Sequence, residues 1–130
     1  GTFGYELDPN ELSAEERRQV KKQVDEYHKY YDLIHSGDLY RLKSPYEDGY
    51  RCAWSFVEDK SEALATVVTM RTPEVPFFIL KFKGLDPDKH YLCDFDGRVY
   101  SGSNLMNAGL NLTRPTGRTY SSLKIYLKAQ

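Results

Sequence analysis

Glu6 and Asp8 are the acids whose spacing invites a chemical reading. They stand two apart at the end of a short aromatic stretch, Phe3-Gly4-Tyr5-Glu6-Leu7-Asp8. On a strand, such positions share a face, and the C-terminal ends of barrel strands are where barrel active sites form. Pro9-Asn10 follows at once, so the chain is already turning there and Asp8 reads as a turn acid. Asp38 follows the stop of a long helix and reads as a turn or inter-domain hydrogen-bonding residue. Asp94 and Asp96 flank a hairpin, and Asp96-Gly97 suits a type I′ turn. His28 and His35 lie seven apart on one helix, too far for a metal pair at three or four residues. No cysteine stands near them, so both are read as solvent or interface residues, and His90 as a surface residue. There is no Gly-rich phosphate loop, nucleophile elbow or Cys-x-x-Cys pair. No catalytic, cofactor-binding or metal-ligating residue is therefore assigned in this chain.

Aromatic side chains offer a different chemistry. The chain holds 11 Tyr and 1 Trp, and aromatic faces stack on sugar rings. Trp54 alternates with Cys52 and Phe56, which predicts the inward face of a strand, and Tyr27 and Tyr31 belong to a helix stripe. Tyr46, Tyr50 and Tyr120 remain as loop residues for a carbohydrate-binding module, the alternative reading of the chain. A third reading is an interaction role, since aromatics suit interfaces as well as cores.

The elements that must position these residues begin with a helix from Ser13 to Ser36. Ser13 and Glu16 make a capping box, and Glu15 and Glu16 favour the positive end of the helix dipole. Val20, Val24, Tyr27, Tyr31 and Ile34 form one apolar stripe, and Gly37 supplies the stop. Strand-like runs follow at Leu39 to Lys43, Arg51 to Glu58 and Ala63 to Met70, with Glu58-Asp59-Lys60-Ser61 as the turn of a hairpin. Thr72-Pro73-Glu74-Val75-Pro76 is a breaker. Phe77 to Phe82 reads as a strand, Gly84-Leu85-Asp86-Pro87-Asp88 as a turn, and His90 to Phe95 with Arg98 to Ser101 as a second hairpin. Ser103 to Ala108 predicts a helical turn and Asn111 to Thr119 a polar loop. Leu123, Ile125 and Leu127 alternate in a final strand. About seven short strands at roughly ten-residue spacing predict an antiparallel β-sandwich.

With 130 residues, 40% hydrophobic and 14% aromatic, the chain can build one packed domain. Its net charge is -1, with 18 basic and 19 acidic residues interspersed. That argues against nucleic acid or an anionic membrane as the main partner. Cys52 and Cys93 lie in separate strands; they could pair if those strands face each other, but they are read as buried free thiols of a non-secreted, cytoplasmic protein. The sequon Asn111-Leu112-Thr113 is read as chance. The opening residues read as the end of a preceding domain, because a lone strand-helix unit cannot bury its own apolar face.

The sequence resembles the C-terminal end of bacterial α-galactosidases of glycoside hydrolase family 36. The resemblance rests on Gly1-Thr2-Phe3-Gly4-Tyr5-Glu6-Leu7-Asp8, Leu12-Ser13, Val20-Lys21-Lys22-Gln23-Val24, Gly37-Asp38-Leu39-Tyr40-Arg41-Leu42, Ser44-Pro45 and Ala53-Trp54. Gly84-Leu85-Asp86-Pro87 and Leu105-Met106-Asn107-Ala108-Gly109-Leu110 extend it. It implies a mostly β fold: an antiparallel β-sandwich at residues 37–130, preceded by one long helix. Residues 1–36 would then be the last strand-helix unit of a catalytic (β/α)8 barrel. It also implies a parent that hydrolyses terminal α-galactosides such as melibiose and raffinose with retention, using two aspartates upstream of this stretch. The chain itself is expected to be structural, with no cofactor. Its expected partners are the rest of the barrel and, in the assembled parent, further copies.

Overall fold

Ser13 caps the first helix as the sequence predicts. Its hydroxyl accepts from the Glu16 backbone N–H at 3.3 Å, and Glu16 Oε2 accepts from the Ser13 backbone N–H at 2.8 Å. In this computed structural model, which describes residues 3–72 and 77–130, the predicted single helix is two. Helix α1 spans Ala14–Lys29 and α2 spans Tyr31–Ser36, with Tyr30 between them at φ -107°, ψ 11°. The break swings the apolar stripe. Val20, Val24 and Tyr27 are half-buried along α1, but Tyr31 is exposed, and Tyr30 and Leu33 are buried in its place. Gly37 ends α2 in an extended conformation, not the left-handed one of a Schellman cap. Its role is close approach, because a Cβ there would lie 2.5 Å from the Leu33 carbonyl.

Six strands form one antiparallel sheet in the order β1-β2-β3-β8-β5-β6. They are β1 (Asp38–Lys43), β2 (Arg51–Glu58), β3 (Glu62–Thr69), β5 (His90–Cys93), β6 (Val99–Ser101) and β8 (Ser121–Ala129). A two-stranded sheet, β4 (Ile79–Leu80) with β7 (Leu110–Asn111), makes the second layer. The sheet content and the antiparallel pairing match the sandwich expected. The chain has more and shorter strands in its second half than the sequence suggested. The run Phe77 to Phe82 keeps only two ladder residues, since its partner β7 offers no more, and the Phe82 N–H bonds the Leu105 carbonyl instead. The breaker read at Thr72 to Pro76 falls largely on residues 73–76, and these, like residues 1–2, lie outside the described residues.

The chain has a second capping box besides that of Ser13 and Glu16. Ser44 and Glu47 make the second, with Pro45 at the first helical position, and they form the short helix α3 (Pro45–Asp48). Helix α4 (Gly102–Asn107) matches the predicted turn and begins one residue earlier. The Asn111 to Thr119 stretch is less of a loop than its polarity suggests. Leu112 and Thr116 are buried, and the Thr116 carbonyl accepts from the Thr69 hydroxyl at 2.9 Å and from Arg51 Nε at 3.4 Å.

The hairpin signals exchanged roles. Asp59 and Lys60, at the β2–β3 turn, carry the positive φ values (46° and 52°) of a type I′ turn without any glycine. Asp96-Gly97 is not a two-residue turn. Cys93 pairs with Arg98 across a four-residue loop, in which Gly97 alone takes positive φ.

One face of the large sheet carries Ala53, Val57, Ala63, Ala65, Val67, Ile125, Leu127, Tyr91 and Cys93, all in one buried cluster. Four small residues at its centre (Ala53, Ser55, Ala63 and Ala65) let Phe78, Leu80, Phe82, Leu105 and Leu112 of the second layer come down onto the strands. Close packing of this kind needs such large-to-small complementarity. This is the opposite alternation from the one predicted. Cys52, Trp54 and Phe56 do not face this core; they stand half-buried on the other side of β2.

Candidate functional site: the outer sheet face

Three of the acids singled out in the sequence, Asp8, Asp94 and Asp96, accept hydrogen bonds from nearby backbone or side chains. Asp8 accepts from the Asn10 backbone N–H at 2.8 Å and its amide at 3.0 Å, as a turn acid does. Glu6 is exposed beside it, and residues 3–6 form no strand. Asp38 opens β1 opposite Val57. Asp94 Oδ1 accepts from the Tyr126 backbone N–H at 2.7 Å, tying the β5–β6 loop to β8. Asp96 accepts from the Tyr100 hydroxyl at 2.5 Å and the Arg98 N–H at 3.1 Å. Partial burial works against its charged form, but these donors outweigh that and hold its carboxyl below the usual range. His35 Nε2 pairs with the Tyr27 hydroxyl at 2.7 Å. No group of three or more metal-ligating side chains occurs among the described residues. Cys52 and Cys93 are unbonded. They sit on opposite faces of the sheet, Cys93 buried and Cys52 only half so. Burial pushes the Cys93 thiol up to about 11.

The face that Cys52 occupies is the notable surface. An antiparallel sheet with one solvated face should alternate apolar-in, polar-out. On the β8 half of this outer face Ser122, Lys124 and Lys128 point outward, and the one aromatic beside them, Tyr126, packs under the second helix. The β1–β2 half breaks the alternation: Leu39, Cys52, Trp54 and Phe56 point the same way. Where Phe56 meets β3, the second helix covers it. Tyr30 and Leu33 are buried against Leu64, with Ile34, Phe56 and Tyr126 around them. Lys124 pairs with Glu26 of α1. Lys29 stands 4.8 Å over the Tyr30 ring and 5.6 Å over the Tyr126 ring.

Beyond the helix the face is open. A groove of about 680 Å³ runs along β1 and β2, with Trp54 in its floor, Leu39 and Arg41 on one side, and Pro45 and Tyr46 of α3 at its end. Leu39 is 55% exposed and Tyr46 97%. Of the three tyrosines considered for sugar stacking, only Tyr46 borders this groove. Tyr50 and Tyr120 are not part of its lining. The sequence signal for the groove was present in the alternation of β2, which was assigned to the wrong face. Both alternations of Arg51 to Glu58 contain apolar residues, so periodicity could not choose.

An antiparallel sandwich of a six-stranded and a two-stranded sheet, with a bare apolar stretch on the outer face of the larger one, is the class of domain that this fold defines. The chain belongs to a family of that description: it matches the glycosyl hydrolase family 36 C-terminal domain over residues 51–127. It is 42% identical over 113 residues to the bifunctional α-galactosidase/sucrose kinase AgaSK of Mediterraneibacter gnavus, covering 86% of this chain and 12% of that protein. It is 41% identical over 114 residues to the α-galactosidase AgaA of Geobacillus stearothermophilus, covering 86% of this chain and 15% of the relative. The crystal structure of the family 36 α-galactosidase AgaB from the same organism superposes with a TM-score of 0.90 at 38% identity. That match covers 98% of this chain and 18% of AgaB. The chain thus spans less than a fifth of the length of the relatives it matches.

Proposed function

We propose that this chain is the non-catalytic C-terminal part of an α-galactosidase, and that its work is to complete and brace the catalytic domain of the same polypeptide. One observation carries the reading. Nearly the whole chain aligns with α-galactosidases, yet it spans 12% of AgaSK and 18% of AgaB. Retaining glycoside hydrolysis uses two carboxyls about 5 Å apart across the scissile bond. Of the acids weighed, Asp8, Asp94 and Asp96 accept hydrogen bonds from their own turns or from a neighbouring strand, and Glu6 and Asp38 are exposed. The catalytic pair therefore belongs upstream.

Residues up to Ser36 are assigned to the end of a (β/α)8 barrel. Support comes from α1, which has no buried residue of its own, while Phe3 stacks on Tyr27 at 4.5 Å and leaves an aromatic cluster with Tyr5 and Tyr31 open. AgaA variants have been solved in complex with raffinose and with stachyose, so raffinose-type α-galactosides are the substrates proposed for the parent. The unbonded Cys52 and Cys93 support a cytoplasmic location. Self-association of the parent is part of the same reading, and sedimentation of the full-length protein checks it.

The test is hydrolysis of p-nitrophenyl α-galactoside by the 130-residue chain and by its full-length parent. Activity in the parent and none in the chain is expected. Turnover by the chain alone overturns the reading and makes Glu6, Asp8 and Asp38 the first residues to mutate.

A further inference from the structure

We infer that the open groove on β1 and β2, floored by Trp54, is where the preceding domain of the same polypeptide docks, through an apolar ridge carrying a carboxylate that meets Arg41. This rests on the reading of the chain as part of a longer α-galactosidase. Three observations favour that occupant. The relatives are more than five times as long as this chain, which covers at most 18% of them. The groove is continuous with the surface that α2 covers: Phe56 touches the helix cluster at one end and lines the groove at the other. The chain preceding β1 therefore approaches the sheet on this face. The third observation is the contrast across the face. On the β8 half Lys124 and Lys128 are polar and Tyr126 is covered by α2, while Leu39, Cys52, Trp54 and Phe56 leave the β1–β2 half apolar and open. Arg41 is the exposed cation among the groove residues, in register with Trp54, whereas Lys43 already pairs with Glu47 at 2.6 Å.

Cys52 reports on the groove directly. It lines the groove and is half-exposed, while Cys93 is buried on the opposite face with its thiol pushed up. In the 130-residue chain a maleimide should modify Cys52 and spare Cys93, read by peptide mass spectrometry. In the full-length protein the Cys52 rate should fall about tenfold or more, because a docked surface reacts only when it opens. Leu39→Glu, at a position exposed in the chain itself, should restore most of that rate in the full-length protein and leave the melting of the 130-residue chain unchanged. Equal labelling of Cys52 in both proteins overturns the proposal. So does protection that appears in the 130-residue chain as its concentration rises, which would give the groove to a second copy. p-Nitrophenyl α-galactoside hydrolysis on the same full-length sample separates the two readings. An active enzyme with unprotected Cys52 ends the docking proposal alone, and an inactive one with protected Cys52 ends the α-galactosidase reading alone.

Discussion

Ser55 lies at the centre of the inner sheet face, 0% exposed, and its hydroxyl has no hydrogen-bond partner among the described residues. A buried hydroxyl without a partner costs about 1–3 kcal/mol, and alanine neighbours already surround it. Ser55→Ala should therefore stabilise the chain, by roughly 1 kcal/mol after the small loss of packing, measured as a higher urea midpoint. Cys93 gives a pH prediction with a definite sign. Its folded-state thiol titrates at about 11, while the unfolded thiol titrates near the ordinary value of about 8.5. Between those values the folded state binds more protons than the unfolded one, so stability falls as pH rises. Burial raises Tyr91 and Tyr126 in the same direction, which extends the fall further into base. Denaturation midpoints taken through this alkaline range should decline, and Cys93→Ala should flatten the first part of the decline. A midpoint that holds constant for the native sequence refutes the buried-thiol account. Residue types alone could not have placed these groups. Ser55 and Cys93 sit in strands whose two faces are both partly apolar, and the choice of face depends on what packs above.

The helical segment shows how elements are joined. α1 contributes no buried residue, and Tyr30 and Leu33 make the contact with the sheet. Leu33, 3% exposed, is the anchor. Leu33→Ala should cost about 2–4 kcal/mol, as large-to-small changes at buried leucines do. It should also free α1, so that limited proteolysis cuts near Tyr30 before the sheet unfolds. The exposed pairs Arg18–Glu15 and Lys21–Asp25 along α1 contribute little to holding it, since solvent-exposed ion pairs are worth about 0–1 kcal/mol. If the variant melts as one unit with the native cleavage pattern, α1 is held by something other than Leu33. The caps of this element were legible, because Ser13 and Glu16 act on neighbouring backbone. The break at Tyr30 was not, because it follows from how the last turn lands on Leu64 and Tyr126.

For the whole molecule, the proposed function implies a division of labour: the 130-residue chain would fold without hydrolysing α-galactosides, and the full-length protein would do both. The inner core already buries the large side chains of both layers, so the 130-residue chain should unfold cooperatively, with a single transition in circular dichroism. Its exposed sheet face should limit its solubility more than its stability. Apolar patches of this sort mark interaction surfaces, and adding Leu39→Glu should raise the concentration at which the chain stays monomeric in sedimentation. An unchanged threshold would place the association surface elsewhere, for example on the aromatic cluster of Phe3, Tyr5 and Tyr31.

What the sequence determined by itself was local or ordered along the chain. The capping box at Ser13, the full extent of β2 from Arg51 to Glu58 and the alternation of Leu123, Ile125 and Leu127 depend on neighbours a few residues away. The ordered set of short motifs determined the family in the same way. Tertiary structure decided the rest. It chose which alternation of β2 faces the core, because Phe78, Leu80 and Phe82 descend on Ala53 and Val57 while Trp54 is left to the other side. It moved the type I′ turn from Asp96-Gly97 to Asp59-Lys60, because β2 and β3 pair along eight residues and twist their turn to match, whereas Asp94 is drawn off to Tyr126. Where a side chain's energy is set by the next residues, the sequence suffices; where it is set by a surface arriving from far along the chain, only the assembled sheet can tell.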